Sequence, residues 1–180
     1  MKVAGTTNRM LDFFGWLEQT KVSLWVRESG TIWSFPTILL LHTLGMSIVA
    51  GGNAMLDLVL LGFWPGKTPI KPLEKYFPLI WAGFWLNAVT GTLLLMADAT
   101  TKLTNPDFGV KMAFIFAGLY VLRTMQKDVF ADPGLDDAPV SSTAKKLAWA
   151  SLICWFGAIT AGRLLAYVGP VSGPPGLSNH

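Results

Sequence analysis

Residues 35–61 read FPTILLLHTLGMSIVAGGNAMLDLVLL, and their only charge is Asp57, close to the far end. A helix needs about 20 consecutive apolar residues to cross the hydrocarbon core of a bilayer, so this run is long enough to span. It is continuously apolar and does not alternate, which reads against the strands of a membrane β-barrel. Residues 78–97, PLIWAGFWLNAVTGTLLLMA, form a second span with no charge at all. Residues 110–130 form a third. Its strongly apolar part, MAFIFAGLYVL, has the length of a buried soluble helix, but it lies between clear spans, with Arg123 and Lys127 placed to snorkel to the surface. Residues 146–168, carrying Arg163, form the fourth.

The whole chain fits this reading. Its 180 residues suit one domain. Charged residues are 14% and hydrophobic ones 52%, with mean hydropathy +0.46. Soluble domains carry about a quarter charged residues. So few charges exclude a disordered chain and a nucleic-acid partner. One cysteine, Cys154, excludes a disulfide framework and a thiolate zinc site.

The turn residues punctuate the same elements. Ser34 is placed to cap the first span with Pro36 in its first turn, and Trp64-Pro65-Gly66 stops it. Pro78 suits the opening of the second span. Asn105-Pro106 opens the third segment and Asp132-Pro133-Gly134 closes it, while Ser141, Ser142 and Thr143 offer caps before the fourth, which Gly169-Pro170 ends. Upstream, residues 11–29, LDFFGWLEQTKVSLWVRES, mix aromatics with charges and are too charged to span. Residues 1–30 are therefore expected as an amphipathic arm of one or two helices on the membrane surface. Residues 31–169 form the bundle and residues 170–180 an extended tail. The first ten residues lack the apolar core of a signal peptide. The expected fold is all-α: a four-helix membrane bundle with an N-terminal surface helix.

Four spans put both ends of the chain on one side. Lys and Arg divide seven to seven between the sides. Charges close to the spans set orientation. On that weighting Lys67, Lys71, Lys75, Arg123, Lys127, Lys145 and Lys146 outnumber Lys21, Arg27, Lys102, Lys111 and Arg163. Both termini are expected in the periplasm, across a bacterial inner membrane. Tryptophans 64, 81, 85 and 149 gather near one face and 16, 25 and 33 near the other, as interfacial belts do.

Lipid supplies no hydrophobic drive between helices, so small residues mark close packing. Gly45, Ser47/Gly51 and Ala50/Ala54 offer faces on the first span, Gly83, Thr90 and Gly91 on the second, and Gly157 and Ala158/Gly162 on the fourth. These faces serve the bundle or other membrane subunits. Asn87 and Thr90 suit interhelical hydrogen bonds, and Asp57 is expected to pair with Lys67, Arg123 or Lys127.

His42 is the one histidine within a span, about 10 Å into the first helix at 1.5 Å per residue. Ionisable residues inside a membrane are functional candidates by default, and imidazole ligates haem iron or passes a proton. It is expected to face the bundle and a polar partner on the second or fourth helix. Arg163 lies at similar depth and suits an anionic group such as a haem propionate or a quinone head. Asp98, Lys102, Asp107 and Lys111 ring the same face, so His42, Arg163, Asp98 and Lys111 are expected to converge. Tyr120 is a further candidate for a quinone carbonyl. The cofactor expected there is haem b or quinone, with His42 the haem ligand. No catalytic constellation is visible.

Several segments also resemble a known family. Trp33-Ser34-Phe35-Pro36, residues 38–46 (ILLLHTLGM), Leu56-Asp57-Leu58, Leu61-Gly62, residues 81–95, residues 105–114 (NPDFGVKMAF) and residues 161–167 (AGRLLAY) are similar to an uncharacterised bacterial family of small four-helix membrane proteins. That resemblance implies the fold and no activity. More distantly the layout resembles small b-type haem membrane proteins, including the haem-dependent protoporphyrinogen oxidase type, through His42, Asn105-Pro106-Asp107-Phe108 and Lys111. The second histidine such proteins carry late in the third helix is replaced here by the run Arg123, Thr124, Met125, Gln126. The function expected from the whole is a non-catalytic accessory subunit or assembly factor of a respiratory or photosynthetic membrane complex, with a haem- or quinone-binding redox protein as the alternative.

Overall fold

The computed structural model describes residues 2–63 and 69–167. The stop signal at 64–66, Lys67, the closing Gly169-Pro170 and the tail 170–180 lie outside the described residues. No strand occurs among those described. Helices α1 (Lys2–Glu18) and α2 (Lys21–Glu28) precede α3 (Phe35–Leu60), α4 (Phe77–Ala97), the short α5 (Ala99–Leu103), α6 (Pro106–Thr124) and α7 (Ser142–Tyr167). A 3₁₀ turn, Lys71–Tyr76, leads into α4, and a π turn, Met125–Val129, prolongs α6.

Four helices are long and apolar enough to cross a membrane. Their outward surfaces are apolar: Leu40, Phe116, Ile153 and Phe156 are all more than 60% exposed. Only 17% of the α3 window and 28% of the α7 window is buried inside the protein. Surfaces of this kind require lipid around them, and the protein is a multi-pass membrane protein. The third span begins earlier than expected and ends within a residue of the expected place. Pro106 starts α6 and the π turn carries it to Val129, giving 24 residues in all.

Local chemistry explains the boundaries. Asn105 caps α6 by accepting from the Asp107 amide at 2.9 Å, and Ser141 caps α7 by accepting from Ala144 N at 3.1 Å. Ser34 does not act as expected. Its hydroxyl turns back to donate to the Thr31 carbonyl at 2.8 Å and makes no cap bond to α3.

α3 packs on α4 and on α7, and α6 packs on α7. The α3–α4 contact is tight because glycines meet across it. A Cβ on Gly45 would lie 2.9 Å from both the Asn87 amide nitrogen and the Gly83 carbonyl oxygen. α4 and α6 do not pack closely along their length. They are joined only towards the Phe77 end of α4, where Trp81 Nε1 donates to Gln126 Oε1 at 3.3 Å and Arg123 stacks on the Trp81 ring at 4.6 Å. Phe77 and Phe130 meet edge to face there, 5.0 Å apart. Thus Arg123 and Trp81 tie two helices together, a role beyond snorkelling and belt formation. At that end Asp136 accepts from the backbone of Ile70 at 2.6 Å and of Lys71 at 3.1 Å, locking the two connecting segments together.

The arm docks on the opposite end. The Ser23 hydroxyl donates to the Leu17 and Met96 carbonyls, Glu18 accepts from the Thr100 amide at 2.6 Å, and Val26 is buried with Ile38, Leu94 and Ala97. Phe13, Trp16, Trp25 and Trp33 remain exposed. An arm tied on one side and aromatic on the other suits the interface between lipid headgroups and water.

Candidate functional site

Because α4 and α6 meet at one end and part at the other, a cavity of about 220 Å³ opens between them towards the arm side. Its walls are apolar, with Met46, Phe84, Leu95, Met112, Ile115 and Leu119 among the lining residues. Few polar side chains reach it, chief among them His42 from α3 and Lys111 from α6.

Histidine 42 is held from α4. Its Nδ1 lies 3.1 Å from the Asn87 carbonyl and 3.2 Å from Thr90 Oγ1. The carbonyl only accepts. The Thr90 hydroxyl gives its own proton to the Leu86 carbonyl at 2.6 Å. Both partners therefore call for a proton on Nδ1, and the hydrogen-bond pattern assigns the Nδ1–H tautomer. Asn87 returns a bond from Nδ2 to the His42 carbonyl at 2.7 Å, which fixes the backbone that carries the ring. In the neutral ring Nε2 then holds the lone pair, and it has no protein partner among the described residues. Gly91 makes room for the ring: a Cβ there would lie 2.8 Å from His42 Cε1.

Lysine 111 enters at one turn of α6, half-buried, with Gly162 leaving space for its stem. A Cβ at Gly162 would meet Lys111 Cε at 3.6 Å. Lys111 thus occupies the position that depth alone had suggested for Arg163. Gly162 and Arg163 are adjacent, and successive helical residues point about 100° apart. With Gly162 facing Lys111, Arg163 turns outward and is exposed. Asp98 lies at the end of α4, 3.8 Å from Lys102, and does not line the cavity. Tyr120, 74% exposed, also stays outside it. Of the four groups expected to converge, the structure brings His42 and Lys111 to one cavity.

The packing residues take separate places. Gly45 and Gly162 sit at close contacts, as do Asn87 and Thr90, whereas Gly51 faces outward with nothing within 4 Å of a Cβ. Asp57 forms no ion pair with Arg123 or Lys127, and its third expected partner, Lys67, lies outside the described residues. Asp57 is fully buried, and neither carboxylate oxygen has a hydrogen-bond partner among the described residues. Arg123 is committed to Trp81, and Lys127 is exposed. Sequence reading overlooked Asn53 and Ser151, which are buried beside it. Polar residues four apart in an apolar run were the available signal.

With its fold and site in hand, the chain is a four-span membrane protein with a lateral cavity bearing one imidazole and one ammonium. Comparison with protein-family models, with curated proteins and with solved structures finds no match.

Proposed function

We propose that this protein binds a small lipid-soluble molecule with a polar head, of the quinone class, between α4 and α6. The observation that carries this reading is that His42, its Nε2 without a described partner, and Lys111 line one otherwise apolar cavity. A quinone carbonyl accepts from an ammonium, and a quinol hydroxyl donates to an unprotonated imidazole nitrogen. An apolar tail leaves through the gap between the helices into lipid. The role is binding, with no catalytic group assigned. The haem alternative draws less support. The cavity is smaller than the roughly 300–1,000 Å³ of ordinary drug-sized ligand sites, a porphyrin is a large ligand, and His42 is the one histidine among the described residues that lines it. Titration of the purified protein in lipid with a short-chain quinone, followed by tryptophan fluorescence, tests the reading. Saturable binding weakened about tenfold or more in Lys111→Met supports it, since a charge-assisted hydrogen bond is worth about 1.5–3 kcal/mol. No saturable binding, or binding by Lys111→Met and His42→Ala as tight as by the wild type, overturns it. A Soret band lost in His42→Ala would restore the haem alternative.

A second reading, an accessory subunit of a larger membrane complex, is favoured by Thr43, Ser47 and Gly51. These small residues lie on one exposed face of α3, and nothing lies within 4 Å of a Cβ at Gly51. On that reading Gly51→Leu abolishes co-purification with a complex and leaves thermal stability unchanged. We place the protein in a bacterial inner membrane with both termini periplasmic, on the near-span positive charges. A reporter fused at His180 that is active only in the cytoplasm overturns that orientation.

A further inference from the structure

α3 and α7 meet along a face that carries Asn53, Asp57 and Ser151, with relative exposures of 1%, 0% and 0%. Leu56, Leu60 and Ala148 are fully buried at the same level. Asn53 donates Nδ2 to the Val49 carbonyl at 2.7 Å, but its Oδ1 has no partner. Both Asp57 oxygens and Ser151 Oγ also lack one among the described residues. The Ser151 hydroxyl faces the Asp57 carboxyl across the helix pair without closing a hydrogen bond of ordinary geometry. Buried polar atoms are nearly always paired, so four unpaired oxygens on three fully buried residues mark a place where something binds. Its charge is set by the carboxyl. A buried charge is paired or neutralised, and no described cation reaches Asp57: Arg123 lies on Trp81, Lys71 donates to Glu74 and to the Phe130 carbonyl, and Lys127, Lys145 and Lys146 are exposed. One carboxylate with neutral oxygen donors matches a single positive charge. Divalent cations prefer more oxygens and more carboxylates.

We propose that Asn53, Asp57 and Ser151 form an intramembrane site for one monovalent cation, a proton or Na⁺, held between α3 and α7. A proton would sit on Asp57 and be shared with Ser151 Oγ or Asn53 Oδ1. Na⁺ would take the carboxylate, amide and hydroxyl oxygens as ligands. The site is distinct from the cavity and stands whether or not a quinone binds there.

Infrared spectroscopy of the purified protein in lipid at neutral pH, with Na⁺ and with choline in its place, tests the proposal. A protonated-carboxyl C=O band in both buffers, absent from Asp57→Asn, identifies the proton. A carboxylate band that shifts on adding Na⁺, with a rise in melting midpoint that Asp57→Asn abolishes, identifies Na⁺. Labelling the aspartates with ¹³C and following the band in Ser151→Ala make the same assignment if Asp57→Asn does not fold. An Asp57 carboxylate insensitive to cations, or one that responds only to Lys67→Gln, overturns the proposal.

Discussion

Replacing Gly45 with alanine tests how α3 and α4 hold the histidine. The added Cβ would meet two backbone atoms of α4, Asn87 N and Gly83 O, each at 2.9 Å. Ordinary contacts at such a carbon begin near 3.4 Å. Backbone cannot swing aside as a flexible side chain does, so the helices must part by about half an ångström. Overpacking of this kind costs about 1–3 kcal/mol. Separation also strains the two bonds that cross at this level, Asn87 Nδ2 to the His42 carbonyl at 2.7 Å and His42 Nδ1 to the Asn87 carbonyl at 3.1 Å. Each is worth about 0.5–1.5 kcal/mol net. The expected loss is about 2–4 kcal/mol, a large fraction of a typical domain's stability. Thermal unfolding in lipid nanodiscs measures it, with Gly51→Ala as the control because nothing lies within 4 Å of a Cβ there. Gly45→Ala should lower the melting midpoint clearly and Gly51→Ala should not. If the two variants melt together with the wild type, the close α3–α4 contact is refuted.

Val26→Asp should release the arm from the bundle, because Val26 is 1% exposed against Ile38, Leu94 and Ala97. Faster proteolysis after Lys21 or Arg27, with the spans intact, is the expected readout, and unchanged cleavage would contradict the docking. Asp136→Ala removes acceptors for two backbone amides, Ile70 and Lys71. It should destabilise the protein by about 1–3 kcal/mol, seen as a lower melting midpoint and loosened hydrogen exchange at those amides.

The spans were legible because length and apolarity act along the chain, where sequence displays them directly. That His42 meets a polar group from the second or fourth helix was legible for a related reason, though which residues was not. Depth can be counted in residues, and Asn87 and Thr90 reach its level from the neighbouring helix. What depth does not give is direction around a helix axis. Arg163 and Lys111 stand at comparable depth, yet only Lys111 lines the cavity, because Gly162 and not Arg163 faces α6. The fate of Asp57 was hidden in the same way. Cations lie near it in sequence, but Arg123 stacks on an indole and Asp57 turns into the α3–α7 contact. The Ser34 cap failed because a local acceptor, the Thr31 carbonyl, captures its hydroxyl.

His42 presents an unprotonated Nε2 to the cavity between α4 and α6. Nitrogen-15 NMR of the histidine-labelled protein in lipid at neutral pH reads this directly, because only His42 and His180 contribute signals and His42→Ala assigns them. A proton on Nδ1, a lone pair on Nε2, and an Nε2 signal that moves when a short-chain quinol is added are expected. A proton on Nε2, with Nδ1 bare against the Asn87 carbonyl, would contradict this tautomer.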